Sequence, residues 1–389
     1  MTYYLRIGDV PNKRHTLHLG PEGDRLAEEL MGEEGFSGPS SLLYHRHSPS
    51  AILGIESIEV KRSELTPNVP VRPMHLRSFN LTEGGDLVTG RRHLGASSTV
   101  TLCVTAADQS SELYRNGEGD ELVFIHTGRA ELESVFGRLV AEAGDYVVVP
   151  RATTHRWVVN GGDAPVRAFI LESTGHIGPP NRYLTPTGQL HEGAPYSERD
   201  LRTPDGPFVV EGEGVRVLVR TRGGWSVHVH ENHPFDVVGW DGCVYPFAFS
   251  IRDFEPIVGR IHQPPPVHQT FAGAGFVVCS FVPRLYDFDP KAIKIPYHHA
   301  NVDSDEVLYY VDGDFMSRQG AGIGKGSLTI HPSGFVHGPQ PGSVEASMGA
   351  DRTDETAVMV DTFEPLLISD DARSIADPAY EHSWAAKKS

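Results

Sequence analysis

The sequence has few cysteines, no excess of basic residues and no long apolar run. Its three cysteines, Cys103, Cys243 and Cys279, have no metal-type spacing and are too few for a disulfide framework. With 51 acidic against 34 basic residues the formal net charge is −17, which disfavours binding to a phosphate backbone. The longest uncharged apolar stretch, 271–283, is too short to span a bilayer, and residues 1–10 lack the apolar core of a signal peptide. We therefore expect a cytoplasmic protein without nucleic-acid or membrane partners.

Strand signals dominate what is present. Short runs rich in Val, Phe and Tyr, each bounded by Gly, Pro or Asp, recur as ELVFIHTG, GDYVVVP, RVLVRTR, GFVVCSFVP and EVLYYVDG. A short helix is predicted over residues 22–31, where Leu26 and Leu30 are four residues apart and glycines stand at both possible ends. At 389 residues the chain can form two domains, and the Pro- and Gly-rich segment 178–207 indicates a connection between them.

Two motifs near the C-terminus have the spacing of a metal site. The first consists of His299, Asn301, Glu306 and Gly313, and the second of Gly326, Pro332, Gly334 and His337. Side chains alternate faces along a strand, so His299 and Asn301 share a face, and Glu306 returns on the next strand. Two imidazoles and a carboxylate that converge inside a barrel form the facial triad that binds Fe(II) and leaves positions open for substrate and O₂. The motifs resemble those of cupin barrels and predict an Fe(II) site at His299, Glu306 and His337.

A weaker copy of the same pattern lies upstream. Tyr114, Asn116, Glu121 and Gly128 precede their counterparts by 185 residues, and Gly144, Pro150 and His155 precede theirs by 182. This internal repeat predicts an all-β bicupin, two double-stranded β-helix (jelly-roll) barrels with an N-terminal elaboration. We expect a first domain over 1–205 and a second, iron-binding domain over 206–389. Because a neutral phenol is a poor Fe(II) ligand and Tyr114 replaces the first histidine, the N-terminal barrel is expected to be metal-free.

Beyond these motifs, the chain resembles the homogentisate 1,2-dioxygenase family. The resemblance is carried by KRHT, by ELMGEEGFSGPSSLLYHRHSPSAI and by the pairing of His331 with His337 in HPSGFVHGP. It implies an Fe(II) enzyme that opens the ring of homogentisate with O₂ to give maleylacetoacetate in tyrosine and phenylalanine catabolism. It also implies His299, Glu306 and His337 as iron ligands, His262 as the catalytic base, and a homo-oligomer, a hexamer built as a dimer of trimers.

The sequence departs from the family at the substrate pocket. Phe315 stands where the family has a tyrosine that helps to hold substrate. Tyr310, on the same strand parity as Glu306, is assigned to substrate binding as a substitute hydroxyl, although it could equally be a packed barrel residue. His331 is assigned to the pocket or to orienting a ligand, the alternative being a ring N–H that satisfies a local carbonyl. A related cupin dioxygenase acting on gentisate or another hydroxylated aromatic acid is therefore the second hypothesis. A non-catalytic bicupin is the third, disfavoured by the complete ligand set.

Several other polar residues have less specific interpretations. His298 is expected on the opposite strand face from His299, in a structural or supporting role, and Asp305 is an alternative carboxylate ligand. His45 and His47 have metal-pair spacing without a third ligand nearby, which favours structural or inter-subunit roles. His268 is expected at the surface or at the rim of the pocket.

Overall fold

Strands make up nearly all the regular structure of the chain, as the repeat predicted. The computed structural model describes residues 3–81, 84–160, 162, 164–259, 265–318 and 321–385. Within these ranges the strands are β1 (Leu5–Gly8), β2 (Ala27–Gly32), β3 (Ser40–His45), β4 (Ile52–Ile58), β5 (Leu65–Pro67), β6 (Met74–Arg77), β7 (Arg92–Ala96), β8 (Val100–Ala107), β9 (Tyr114–Asn116), β10 (Glu121–Thr127), β11 (Arg129–Ser134), β12 (Gly137–Glu142), β13 (Asp145–Val149), β14 (Thr154–Val158), β15 (Val166–Ser173), β16 (Ile177–Gly178), β17 (Leu201–Arg202), β18 (Glu213–Thr221), β19 (Gly224–Asn232), β20 (Val237–Gly242), β21 (Phe247–Ser250), β22 (Gln269–Gly273), β23 (Phe276–Phe281), β24 (Arg284–Leu285), β25 (Asp305–Asp312), β26 (Ser327–His331), β27 (Arg352–Thr353), β28 (Thr356–Thr362) and β29 (Leu367–Ser369).

The α-helices of the described ranges are short. They are α1 (Ser343–Ser347) and α2 (Asp370–Ser374), and the remaining helical turns are of the 3₁₀ type. In the part of the chain that the structure describes, no helix has the length and apolar character needed to cross a membrane.

The chain forms two compact units, and neither is one continuous segment. The first comprises residues 1–61, 83–91 and 105–250, and the second comprises 62–82, 92–104 and 251–389. The predicted boundary after residue 205 differs from this division. Residues 206–250 lie in the first unit because β18 pairs in parallel with β9 and antiparallel with β19. The sequence connection at 178–207 therefore runs within the first unit.

The helix predicted over 22–31 is wrong, since this segment contains strand β2. β2 pairs antiparallel with β3 from Ala27 opposite His45 to Gly32 opposite Ser40. Leu26 is buried but Leu30 is 48% exposed, so the two leucines do not share an apolar face. Backbone pairing with β3 thus overrides a local spacing that suits a helix.

The first unit contains three groups of paired strands. Their strand orders are β1-β20-β3-β2, β12-β11-β14-β9-β18-β19-β4 and β17-β21-β13-β10-β15. One core cluster gathers around Trp240, whose ring meets that of Phe136 edge-on at 5.1 Å. The indole N–H of Trp240 donates to the Phe136 carbonyl at 2.9 Å, which satisfies its buried polar atom.

The second unit is organised around β25. Its larger group of strands has the order β22-β23-β28-β25-β26-β6, and β29 lies between β5 and β7. β25 pairs antiparallel with β26 on one side and with β28 on the other. This register places Glu306 directly opposite His331 on β26 and opposite Asp361 on β28. Glu306, the carboxylate of the C-terminal motif, therefore lies on a central strand that is paired on both sides.

Candidate metal centre

The two candidate ligand histidines of the C-terminal motif are held side by side by the backbone. His299 and His337 form an isolated antiparallel bridge, with N–H to carbonyl distances of 2.8 and 2.9 Å. The Nδ1 of His299 bonds the Tyr297 carbonyl at 3.0 Å, and that of His337 bonds the Phe335 carbonyl at 3.0 Å. Because a carbonyl only accepts, Nδ1 carries the proton in both rings. Each Nε2 is left with a lone pair for a metal ion.

Glu306 brings a carboxylate to these nitrogens from β25. Its Oε1 lies 3.2 Å from His337 Nε2, and its Oε2 lies 3.6 Å from His299 Nε2. The potential ligand atoms of the three residues all lie within 4.8 Å of one another. Burial by itself raises the pKa of Glu306, but the adjacent imidazoles of His299, His331 and His337 outweigh it and hold the pKa well below its usual value. The group is therefore an ionised carboxylate.

The residues fit a divalent metal ion. His337 Nε2 is buried and has no hydrogen-bond partner among the described residues, a costly state for a nitrogen unless another species binds it. Two neutral imidazoles and one carboxylate are the donor set of non-haem Fe(II) oxygenases. The cluster could hold such an ion with positions left open.

Asp305, the alternative carboxylate ligand, is already engaged by the backbone. Its Oδ1 accepts the Ser333 N–H at 2.8 Å, and its Oδ2 accepts the Leu366 N–H at 2.8 Å. Asn301 likewise supports the site indirectly, because its side-chain amide donates to Asp361 Oδ1 at 2.9 Å. The geometry thus selects Glu306 over its neighbour.

His331 and Tyr310, the two residues assigned to substrate binding, are both engaged in contacts inside the second unit. His331 is fully buried, and its two ring nitrogens bond Glu306 Oε1 at 2.8 Å and the Tyr380 hydroxyl at 2.9 Å. Tyr310 is also fully buried, packs edge-on against Phe315 at 5.1 Å, and has its hydroxyl 3.4 Å from Thr329 Oγ1. Neither is among the described residues that line the cavity at the site. Strand parity gave the correct face for Tyr310, but packing fills that position.

A cavity of about 700 Å³ opens beside the cluster, and His299 and Glu306 form part of its wall. Apolar side chains, including Phe281, Leu308 and Met359, line another part. This volume and lining suit a small organic ligand.

Two guanidinium groups in the cavity wall differ in how their charge is balanced. Arg284 pairs with Glu355 at 3.3 Å. Arg318 is only 6% exposed, donates to the Gly338 carbonyl at 2.6 Å, and has no acidic partner within ion-pair distance among the described residues. A buried cation without a counter-ion favours an anionic ligand. The sequence had given no signal for this arginine.

His268 is a wall residue that the sequence placed at the surface or rim. It is 2% exposed, and its ring packs against Phe281 at 4.6 Å. Its Nδ1 has no hydrogen-bond partner among the described residues. Burial and the nearby charge of Arg284 lower its pKa to about 3, so the imidazole is neutral near neutral pH.

The catalytic base predicted from the resemblance, His262, lies outside the described residues. His298, next to His299, is exposed and contributes to the cavity wall. His45 is buried in the first unit, where it bonds Asp236 at 2.6 Å and Glu29 at 2.9 Å. These contacts give His45 a structural place, one of the two roles that its spacing left open.

The N-terminal copy has the same backbone pairing as the C-terminal copy, but its carboxylate has different partners. His155 pairs with Tyr114 across β14 and β9, and its Nδ1 bonds the Thr153 carbonyl at 2.9 Å, as in the C-terminal copy. Glu121 accepts a hydrogen bond from the Tyr114 hydroxyl at 2.9 Å and two from the Arg91 guanidinium at 2.9 and 2.7 Å. The internal cation of Arg91 thus occupies both carboxylate oxygens that a metal ion would need.

The fold and the site define a bicupin whose second unit carries a candidate metal centre beside a ligand-sized cavity. The family model "Homogentisate 1,2-dioxygenase N-terminal" matches residues 64–251. A protein of Saccharolobus solfataricus named "Putative dioxygenase SSO1533" is 38% identical over 388 residues, 99% of each chain. The homogentisate 1,2-dioxygenase of Emericella nidulans is 24% identical over 343 residues, 80% of this chain and 74% of that protein. Among solved structures, a cupin 2 conserved barrel domain protein from Leptotrichia buccalis covers 79% of this chain and 100% of its own, with 8% identity and a TM-score of 0.31.

The chain belongs to the family of the Saccharolobus protein. It is an oxidoreductase, a dioxygenase of the homogentisate dioxygenase type.

Proposed function

We propose that this protein is an Fe(II)-dependent dioxygenase that opens the aromatic ring of homogentisate with O₂ to give maleylacetoacetate. The observation that carries the proposal is the convergence of His299, Glu306 and His337 beside a cavity whose wall includes Arg318, a buried arginine with no acidic partner among the described residues. The homogentisate 1,2-dioxygenases among the relatives support the same substrate.

The three clustered side chains would hold the metal ion through His299 Nε2, His337 Nε2 and the Glu306 carboxylate. When bound there, Fe(II) supplies Lewis acidity toward a phenol oxygen and one-electron chemistry toward O₂. The protein holds both imidazoles in the ligating tautomer before any ion arrives, since their Nδ1 protons are fixed on backbone carbonyls.

The remaining wall groups would orient an aromatic acid. Arg318 offers its guanidinium to the carboxylate, and Phe281, Leu308 and Met359 provide apolar surface for the ring. Because the Arg318 charge is buried and has no acidic partner in the part of the chain that the structure describes, its attraction for an anion is stronger than at an exposed site. This arrangement would fix the direction in which the ring enters the cavity.

A hydroxyl of the substrate must lose its proton for ring opening, which requires a neutral base. His262 remains the residue that the family resemblance assigns to this step. Within the described residues, His268 also brings an imidazole to the cavity wall, but burial and the charge of Arg284 lower its pKa and make it a weak base. The cytoplasmic location and the hexamer also remain predictions from the sequence and the resemblance.

The proposal is tested with protein loaded anaerobically with Fe(II), by following O₂ uptake with homogentisate, gentisate and 2-hydroxyphenylacetate. We expect homogentisate to be consumed with the appearance of an absorbing maleylacetoacetate-type product. Gentisate should react poorly because it lacks the methylene group that sets the distance between carboxylate and ring. A higher kcat/KM for gentisate than for homogentisate would show that gentisate is the preferred substrate. Absence of O₂ uptake with every compound would refute the dioxygenase activity.

A further inference from the structure

Behind the metal-binding cluster lies a buried line of hydrogen bonds that ends on the C-terminal segment. It runs from Glu306 Oε1 to His331 Nδ1 at 2.8 Å and from His331 Nε2 to the Tyr380 hydroxyl at 2.9 Å. Glu306, His331 and Tyr380 are all buried. His331 also stacks on the ligand His337, with ring centroids 4.0 Å apart. A residue far along the sequence is thereby connected to the carboxylate of the site.

The direction of each hydrogen bond follows from its chemistry. A carboxylate that ligates a metal ion is ionised and can only accept, so His331 Nδ1–H donates to Glu306. His331 Nε2 is then without a proton and must accept, so the Tyr380 hydroxyl donates to it. The hydroxyl therefore selects the one tautomer of His331 that can hold Glu306. With Oε1 fixed in this way, the carboxylate keeps its orientation toward both ligand imidazoles.

The segment that carries Tyr380 is fastened to the second unit on both sides of that residue. Before it, the Asp377 N–H donates to the His75 carbonyl at 2.8 Å. After it, the Trp384 indole N–H donates to the carbonyl of Gly338 at 3.0 Å, the residue that follows the ligand His337. The position of the Tyr380 hydroxyl is thus set by backbone and side-chain contacts that surround the site.

The N-terminal copy provides an internal comparison. There, the residue opposite Glu121 on the neighbouring strand is Val149, where the C-terminal copy has His331 opposite Glu306. The Glu121 carboxylate is held by Arg91 instead. The copy with the complete ligand set thus has an imidazole relay, the hydrogen-bonded line from Glu306 through His331 to Tyr380. The copy with the incomplete set has the Arg91 cation at the equivalent carboxylate.

We propose that Tyr380 is a positioning residue of the metal centre, which acts through His331 to orient the Glu306 carboxylate. The inference rests on the metal-binding part of the proposed function. Outer partners that orient metal ligands typically contribute 10- to 100-fold in metal affinity. Loss of the Tyr380 hydroxyl should therefore weaken metal binding by about 10- to 100-fold.

The test is a Tyr380→Phe variant of the full chain, which removes the hydroxyl and keeps the ring. Co(II) affinity is measured by competition with a chelator, and the visible absorption of the Co(II) centre reports its geometry. Tyr309→Phe is the matched control, because it removes a buried hydroxyl from the opposite face of the strand that carries Glu306. We expect weaker binding and an altered spectrum in Tyr380→Phe, with both close to wild type in Tyr309→Phe.

Two further variants separate positioning from a general loss of structure. Glutamine at residue 331 can donate to Glu306 and accept from Tyr380, so His331→Gln should retain more Co(II) affinity than His331→Leu. In the His331→Leu background, adding Tyr380→Phe should have little further effect, because the relay is already broken.

The outcomes distinguish this inference from the proposed function. Wild-type protein that binds no divalent metal would overturn both. Normal wild-type binding with Tyr380→Phe affinity within about twofold of it, well below the range expected for an orienting partner, would overturn the role of Tyr380 alone. So would full additivity of the Tyr380→Phe and His331→Leu effects.

Discussion

Replacing Arg318 with methionine should weaken binding of the substrate carboxylate while leaving the metal site intact. Methionine keeps a long apolar side chain in the wall but removes the guanidinium. Arg318 is 6% exposed and has no acidic partner among the described residues, so its charge is available to a ligand. A hydrogen bond to a charged group contributes about 1.5–3 kcal/mol, which corresponds to about 10- to 150-fold in affinity.

The assay is anaerobic titration of the metal-loaded enzyme with homogentisate and with its uncharged methyl ester. Arg318→Met should raise the Kd of homogentisate by the factor above and change that of the ester much less. Arg284→Met is the control, and a smaller loss is expected because Arg284 already has Glu355 as a partner at 3.3 Å. Because Arg318 also donates to the Gly338 carbonyl beside His337, metal content is measured in both variants. Equal losses for homogentisate and its ester would refute the reasoning.

Three further predictions concern other parts of the molecule. Arg91→Met should cost about 3–5 kcal/mol in the free energy of unfolding by denaturant, because it leaves Glu121 buried without its cation, and a loss under about 1 kcal/mol would contradict this. Burial lowers the pKa of His45, but the hydrogen bonds to Asp236 and Glu29 outweigh it and raise the pKa to about 9. The protonated His45 should therefore contribute roughly 3 kcal/mol to the free energy of unfolding, fully present below pH 6.5 and lost as pH rises through 9. In His45→Gln, the free energy of unfolding should no longer fall between pH 6.5 and 9 for this reason. His262→Gln should keep its metal content and lose about 10²- to 10⁴-fold in kcat, and near-normal turnover would assign the proton to another group.

The convergence of the three side chains of the candidate metal centre could be predicted from sequence because their spacing follows from strand alternation and from the pairing of the two motifs. His299 and His337 face each other in one bridge, and Glu306 lies on β25, the strand within the first motif. Strand alternation thus sets the geometry within each motif, and pairing of the two motifs brings the three side chains together. The repeat could be found for the same reason, since His155 and Tyr114 occupy an equivalent bridge.

Features that depend on distant packing could not be predicted. Tyr380 lies 49 residues beyond His331, and Arg91 lies 30 residues before Glu121, with no motif to indicate either contact. Strand alternation assigned Tyr310 to the face of Glu306, but it does not tell whether a side chain on that face meets a cavity or a neighbour such as Phe315. The helix predicted over 22–31 failed similarly, because the partner strand β3 decides its conformation.

The central claim is that His299, Glu306 and His337 bind the iron that supports ring cleavage. The most direct measurement is the iron content of Fe(II)-loaded protein, with O₂ uptake on homogentisate, for wild type, His337→Ala and His155→Ala. We predict a single iron per chain in wild type and in His155→Ala. We predict neither iron nor O₂ uptake in His337→Ala. A full iron complement in His337→Ala, or its loss only in His155→Ala, would contradict the account.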